Sequence, residues 1–377
     1  MKSNGKTNML FAGTVLTGAD KPMILNKTKL LEVIEDISKE ESITRLREAV
    51  FDFQRQLKYF KPDTKALFNI STNGDTIKLN QRYLFNELNQ IIEARTFERS
   101  KYYLRRLAKA ISEYKTNKIN DINLNRWKEY SDIITDSLWI LDKRDSTGVH
   151  TADYWGNFIP QIPNQMLKRY TKKGDWVLDP FVGCGTTLIE SQRLGRNGIG
   201  VELQETVAQK ARGLISSEPN RHNVITEVLT ADSAEFDFRA VLKKHNQKFV
   251  QLLIMHPPYF DIIKFSNDPR DLSNAPSVDK FLEMMRTIVD NASCVLEKGR
   301  HFILVIGDKY SKGEWIPLGF LTMNEILQRP YVLKSIIVKN FEETAAKRNQ
   351  KELWRYRALV GGFYIFKHEY IFVFKKK

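Results

Sequence analysis

"DWVLDPFVGCGTTLIESQRLGRNGIGVEL", residues 175–203, reads as a strand, a glycine loop, a helix and a second strand in one short run. "DWVLDPF" is apolar enough for a buried strand, "TTLIESQRLG" has the length and closing glycine of a helix, and "NGIGVEL" is again a strand. Gly183 and Gly185 fall at the strand-to-helix junction. Backbone without a Cβ can approach a ligand closely there, and the helix N-terminus offers free N–H groups. Downstream the rhythm continues: "QETVAQKARGLIS" is a helix, "VITEVLTADS" a strand, "FVQLLIM" an apolar strand, "VDKFLEMMRTIVDNASCVL" a helix and "HFILVIGD" another buried strand. Apolar strands alternating with helices imply an α/β fold with a mostly parallel sheet covered on both faces. "VLKSIIVKN" and "HEYIFVFKKK" close the chain as two strands with no clear helix between them, which predicts an antiparallel pair at one edge of the sheet.

Upstream of residue 150 the pattern is helical. Ile43, Leu46, Val50, Phe53, Leu57 and Phe60 recur at spacings of three and four, one face of a helix that Pro62 ends. "ALFNISTNGDTIKLN" alternates around Asn73-Gly74 and predicts a hairpin or structured loop. A second long helix is expected to bury Leu84, Leu88, Ile91, Leu104, Leu107 and Ile111, and a third to bury Trp127, Tyr130, Ile134, Leu138 and Leu141. Three regions follow: a loose lead-in over 1–25, a basic helical region over 26–148 and the alternating domain over 149–377.

The net charge of +14 is dispersed along the chain, which favours a folded surface of positive potential and makes nucleic acid the first partner to consider. The plainer alternative is that the charge serves only solubility. No apolar run approaches the roughly 20 residues needed to cross a bilayer, and the N-terminus lacks the extended apolar segment of a signal peptide. Two cysteines, Cys184 and Cys294, cannot make a disulfide framework or a four-ligand zinc site, and the six histidines show no metal-ligand spacing. A cytoplasmic protein without a metal is expected.

The glycine loop is followed about twenty residues later by Glu202 at the end of a strand, where an acid can accept bonds from ribose hydroxyls. Asp232 follows the next strand, placed for an adenine amino group. A dinucleotide site would carry a third glycine where Thr186-Thr187-Leu188 stand, and a P-loop would carry a lysine. A nucleoside with a small sulfonium side chain fits better than a pyrophosphate.

"DPFVGCGTTLIE", "GIGVEL" and "HPPY" (residues 256–259) together resemble the S-adenosyl-L-methionine-dependent amino methyltransferases that modify adenine N6 or cytosine N4 in DNA. "YWGNFIPQIPNQMLKRYTKKGDWVLDPF" resembles the stretch that family carries ahead of its glycine loop, in one of its known permutations. The resemblance covers about residues 150–375 and implies a Rossmann-like methyltransferase fold. It implies that Asp179, Phe181, Gly183, Gly185, Thr186 and Thr187 line the cofactor site, with Glu202 on the ribose, Asp232 on the adenine edge, and Phe158 and Pro160 on the methionine side. Cys184 is a small filler of the loop. A companion restriction endonuclease is an expectation of the same kind.

An exocyclic amine is a poor nucleophile because its lone pair is delocalised into the ring. Two rigid hydrogen-bond acceptors would pull the nitrogen towards a tetrahedral shape and aim the lone pair at a methyl donor. Consecutive prolines supply rigidity, since proline fixes φ and has no N–H. The resemblance implies that the side chain at 256 and the Pro257 carbonyl accept, Pro258 stiffens the turn, and Tyr259 stacks on a base flipped from the duplex. His256 stands where the family commonly has Asp, Asn or Ser. Neutral imidazole keeps one acceptor nitrogen and imidazolium has none, so the rate is expected to fall as pH drops through the pKa of His256. A purely structural histidine at a strand end is the alternative.

After the motif, "FDIIKFSNDPRDLSNAPS" reads as a long polar loop that could carry Lys264 and Arg270 to phosphates. "KNFEETAAKRNQKELWRYRAL" interleaves Lys347, Arg348, Arg355 and Arg357 with Trp354 and Tyr356, a mix suited to backbone contact and base stacking, or else a surface loop packing Trp354 on the sheet. The leading expectation is a site-specific methyltransferase acting on double-stranded DNA. The alternatives are an RNA amino-methyltransferase of the same fold and a nucleic-acid-binding pseudoenzyme.

Overall fold

The computed structural model describes residues 22–59, 67–68, 75–151, 154, 156–340 and 351–377. They form two compact units, one of residues up to Asn117 with Ile122–Asp132, the other of Lys118–Asp121 and Ile133–Lys377. Residues 133–148, helical by their spacing, thus belong with the second unit.

The first unit pairs strand β1 (Pro22–Asn26) antiparallel with β2 (Thr76–Asn80) and packs helices α1 (Lys27–Ser38), α2 (Ile43–Lys58), α3 (Gln81–Glu93) and α4 (Phe97–Ser112) around a core of Leu30, Leu46, Phe53, Leu84 and Leu104. Each helix starts on a side-chain cap, Asn26, Ser42, Asn80 or Thr96 accepting the N–H three residues on. β2 pairs with β1, about fifty residues back, and the expected turn at Asn73-Gly74 lies outside the described residues, as do Phe60 and Pro62. The expected second helix is two. Ala94 leaves the helical conformation and Thr96 caps a fresh start; the thirteen residues from Ile91 to Leu104 would put the two apolar groups on opposite faces of a single helix, and the break lets both reach one core. The expected third helix does not form. Trp127 lies exposed on a short 3₁₀ turn, and around Leu138 the burial alternates residue by residue, the period of a strand.

The second unit carries that strand, β3 (Leu138–Trp139), followed by α5 (Gln161–Tyr170), β4 (Trp176–Asp179), α6 (Thr186–Leu194), β5 (Asn197–Glu202), α7 (Glu205–Ser217), β6 (Thr226–Thr230), α8 (Phe238–Lys244), β7 (Val250–Met255), α9 (Val278–Ser293) and β8 (Leu296–Ile306). A small hairpin, β9 (Lys309–Ser311) with β10 (Glu314–Ile316), leads to α10 (Leu318–Leu327), β11 (Tyr331–Asn340), α11 (Lys351–Gly361) and β12 (His368–Lys376). The eight-stranded sheet runs β3-β11-β12-β8-β7-β4-β5-β6, with β12 antiparallel to both neighbours and the other pairings parallel. β11 and β12 are the antiparallel pair read from the sequence, with two residues of β3 outside them. A helix, α11, stands between them where the sequence showed none.

Alternate residues of the strands face opposite layers. Leu178, Leu253, Met255, Phe302 and Phe372 point towards the α8, α9 and α10 side, while Val177, Leu252, Ile254, Ile303 and Ile371 point towards α5. The chain leaves β4 for β5 and β6 on one side and returns to β7 and β8 on the other. This reversal of order opens a crevice at the carboxyl ends of β4 and β7, the usual ligand position in an open α/β sheet.

Candidate functional site

Four strands deliver residues to that crevice. β4 ends in Asp179, β5 in Glu202, and Asp232 and His256 follow closely on β6 and β7. The glycine loop spans the first of these ends. Gly183 and Gly185 both have positive φ, +49° and +86°, and a Cβ on Gly185 would come 3.0 Å from Ile215 Cδ1. Asp179 is wholly buried and fixes the loop at two points, accepting the Phe181 N–H at 2.9 Å and the Thr187 hydroxyl at 2.6 Å. Burial raises its carboxyl to about 7, against the pull of those two bonds. Glu202 accepts the Gly183 N–H through Oε2 and the Gln204 N–H through Oε1, each at 3.1 Å, and burial raises its pKa as well. Asp232 uses Oδ1 on the Ala234 N–H, and Oδ2 has no hydrogen bond among the described residues. Asp179→Ala strands the Phe181 N–H and the Thr187 hydroxyl in a buried place, so a loss of about 1–3 kcal/mol is expected. Thermal unfolding would show it; an unchanged midpoint would refute the role.

The second half of the site is the His256-Pro257-Pro258-Tyr259 turn. Asn157 and Phe158, adjacent in sequence, touch both halves: the Thr186 hydroxyl donates to Asn157 Oδ1 at 2.6 Å, and the Phe158 ring lies 4.8 Å from the His256 ring. Arg144 secures this bridge by donating to the carbonyls of Asn157, Phe158 and Thr151 at 2.9–3.1 Å. Pro160 opens α5 directly behind it.

His256 Nε2 lies 3.0 Å from the Tyr259 hydroxyl, which donates to Glu369 Oε2 at 2.7 Å. Glu369 Oε1 is 3.0 Å from Lys339 Nζ. The Tyr259 ring lies against Gly307, where a Cβ would come within 2.8 Å of it. Burial and the Glu369 carboxylate push the Tyr259 hydroxyl well above the usual tyrosine range. Burial lowers His256 to about 4, with Glu369 pulling it up and Lys339 pushing it down. For the acceptor role expected of His256, the acid limb of a pH–rate profile is expected near pH 4 and not in the ordinary histidine range. The rate is expected to stay flat from about pH 5.5 to 8, since the imidazole is already neutral throughout. A tenfold fall between pH 7 and 5.5 would contradict this. The same displacement acts on stability: the unfolded state takes up the proton first, so stability declines as pH falls from about 6.5 towards 4.

A hollow of about 460 Å³ beside the end of α7, lined by Gln192, Arg212, Ile215, Glu218 and Val228 among others, contains none of these residues. Its polar groups already bond one another, Gln192 to the carbonyls of Ile215 and Glu218, and Arg212 to that of Val228.

A family model described as "DNA methylase" (N6_N4_Mtase) matches residues 22–212, just over half of the chain. The chain belongs to this DNA methylase family. The match takes in the first unit and the glycine loop and stops before His256. Among curated relatives, the type II methyltransferase M.MjaII of Methanocaldococcus jannaschii is 31% identical over 129 residues, 30% of this chain and 24% of its own. M2.DpnII of Streptococcus pneumoniae is 35% identical over 25% of this chain and 34% of its own. M.MthZI of Methanothermobacter thermautotrophicus is 30% identical over 30% of each. The chain thus spans about a quarter to a third of the length of these relatives.

For a DNA methylase, the outer residues read from the sequence are placed unevenly. Lys264 is exposed on the segment after the motif. Arg270 is exposed too, but its guanidinium is engaged by Asp268 at 2.7 Å. That segment is not all polar surface: Phe260, Leu272 and Ala275 join the core, and Asp271 ties it together by accepting from Ser266 and Ser273. Trp354, Arg355 and Arg357 lie on α11, with the Arg357 guanidinium 5.3 Å from the Trp354 ring, while Lys347 and Arg348 lie outside the described residues. The sequence missed Asn157, Arg144, Lys339 and Glu369. Glu369 carried a signal: a glutamate leading directly into the apolar run Tyr370–Phe374 is rarely buried unless paired. No helix among the described residues is long and apolar enough to cross a membrane, and no cluster there of His, Cys, Asp or Glu suits a metal ion.

Proposed function

We propose that this chain transfers a methyl group from S-adenosyl-L-methionine to an exocyclic amine, adenine N6 or cytosine N4, of a base flipped out of double-stranded DNA. The observation that carries this is the bridge at Asn157 and Phe158, which joins the glycine loop to the His256-Pro257 turn in one crevice. S-adenosyl-L-methionine would supply an electrophilic methyl on a sulfonium. The residues present fit it: Gly183 and Gly185 leave room for close approach, Glu202 keeps spare lone pairs for ribose hydroxyls, and Asp232 Oδ2 is open for an adenine amino group. Phe181, Thr186 and Thr187 complete the loop wall, and Phe158 and Pro160 flank the methionine side.

The chain's own part in the chemistry is to hold the amine. Pro257 O, which accepts no hydrogen bond among the described residues, and the imidazole of His256 each take one N–H. The nitrogen lone pair is then directed at the methyl; C–N bond formation would be matched by cleavage of the methyl–sulfur bond, leaving a neutral thioether, and the proton displaced from nitrogen would pass to water. Tyr259, with Pro258, borders the place of the base. Lys264, Arg270, Trp354, Arg355 and Arg357, with the basic helical unit, would take the phosphates and neighbouring bases.

The test is incubation with labelled S-adenosyl-L-methionine and either duplex DNA or RNA, followed by digestion and identification of the nucleoside. Label in adenine N6 or cytosine N4 of DNA is expected. Label only in RNA overturns the proposal, and tight cofactor binding without any transfer identifies a pseudoenzyme.

A further inference from the structure

We propose that Lys339, Glu369 and Tyr259 form a positioning chain that holds His256 as its Nε2–H tautomer, so that Nδ1 is the atom that accepts from the target amine. The inference rests on the proposed methyl transfer and assigns a task to Lys339 and Glu369, which neither the motif nor the family match contains.

The wiring follows from proton counting. Lys339 on β11 and Glu369 on β12 are register partners, both about 5% exposed, with Nζ and Oε1 3.0 Å apart. A carboxylate beside an ammonium can only accept, so the hydroxyl 2.7 Å from Glu369 Oε2 must give its proton to it. Tyr259 has one such proton. The contact of 3.0 Å between that hydroxyl and His256 Nε2 therefore needs its hydrogen from the imidazole. A neutral ring protonated at Nε2 has its lone pair at Nδ1. No hydrogen bond among the described residues uses Nδ1, nor is it one of the sealed, unpartnered ring nitrogens, as those of His150 and His301 are.

The chain answers a difficulty peculiar to histidine at this position. An Asp, Asn or Ser oxygen is an acceptor whatever surrounds it. Imidazole is an acceptor at one nitrogen only, and a free ring would divide itself between two tautomers. A fixed chain ending in a buried ion pair removes that freedom. It also limits rotation of the ring, whose Nε2 is tied to the Tyr259 hydroxyl while its face lies against the Phe158 ring.

The deciding variant is Glu369→Gln. Its amide can donate to the Tyr259 oxygen, which turns the tyrosine proton onto Nε2 and moves the imidazole proton to Nδ1, replacing the acceptor by a donor. Because this removes the Glu369 charge beside the buried Lys339, the double variant Lys339→Met, Glu369→Gln is measured beside it. Single-turnover methylation of duplex DNA is expected to fall about thirtyfold in both, with cofactor affinity unchanged within twofold. Tyr259→Phe cuts the chain without reversing it and is expected to lose less. In the parent protein, ¹⁵N NMR of His256 should show the protonated nitrogen at Nε2, and in the double variant at Nδ1.

A parent protein with the proton on Nδ1, or a folded double variant that methylates at the parent rate, overturns the inference. If the parent protein methylates nothing yet shows the Nε2–H tautomer, it is the proposed reaction that fails and the tautomer assignment that survives.

Discussion

His256→Ala is expected to slow methyl transfer to duplex DNA about a thousandfold, near 4 kcal/mol of barrier, while leaving S-adenosyl-L-methionine affinity within twofold. The size of the effect comes from what one acceptor contributes. With Pro257 O alone, the amine nitrogen is held at one N–H, its lone pair stays conjugated with the ring, and the approach to the methyl is no longer aimed. The selectivity of the effect comes from geometry. Among the described residues His256 shares no hydrogen bond with the glycine loop; it meets the Phe158 ring, which is 6% exposed and lies among Ile162, Met166 and Leu167, while the neighbouring Asn157 makes the bond to Thr186. Losing the imidazole leaves Asp179, Glu202 and their loop bonds untouched. His256→Asn should recover part of the rate, because an amide oxygen restores an acceptor. An alanine variant within threefold of the parent rate would mean that His256 is a strand-end histidine with a structural task, and that the acceptor lies elsewhere.

What the sequence disclosed follows the range of the interactions involved. The run from β4 to β5 is legible because each part has a local cause: an apolar strand, two glycines where φ is positive, a helix closed by Gly195. The break between α3 and α4 has no glycine or proline at Ala94-Arg95-Thr96; its signal is the thirteen-residue gap from Ile91 to Leu104, which would turn the second apolar group to the far side of a single helix. Residues 127–141 misled in the opposite way. Their three-and-four spacing imitates a helix, whereas burial in the sheet needs only the single inward residue Trp139. In the site, the loop and the proline turn could be read from their motifs. The contacts that make them one site could not. Phe158 and His256 lie nearly a hundred residues apart, and Lys339 finds Glu369 only through the register of β11 on β12. The same long-range packing corrects the expected pH response, since burial of the imidazole, which no motif encodes, decides where it titrates.

Glu202→Ala should produce the mirror image of His256→Ala, a loss of cofactor affinity of more than a hundredfold with turnover at saturating cofactor changed only a few-fold. Two effects add in the affinity. The carboxylate accepts two loop N–H groups, at Gly183 and Gln204, and hydrogen bonds to a charged group are worth about 1.5–3 kcal/mol each. Removing it leaves the Gly183 N–H unpartnered at the point where the backbone takes a positive φ, so the loop loses the geometry that admits a ligand. The proposed acceptor for the ribose hydroxyls goes at the same time. Glu202→Gln separates the two, since one amide oxygen can still meet the Gly183 N–H while the NH₂ group faces the Gln204 N–H as a second donor; an intermediate affinity is expected. Among the described residues Glu202 shares no hydrogen-bond partner with His256, and the bonds of Asp179 to Thr187 and Phe181 involve neither of them. The double variant Glu202→Ala, His256→Ala should therefore combine the two losses additively, one in binding measured by calorimetry and the other in single-turnover rate. Affinity for S-adenosyl-L-methionine within threefold of the parent in Glu202→Ala would remove the glycine loop as the cofactor site, whatever the fate of the proline turn.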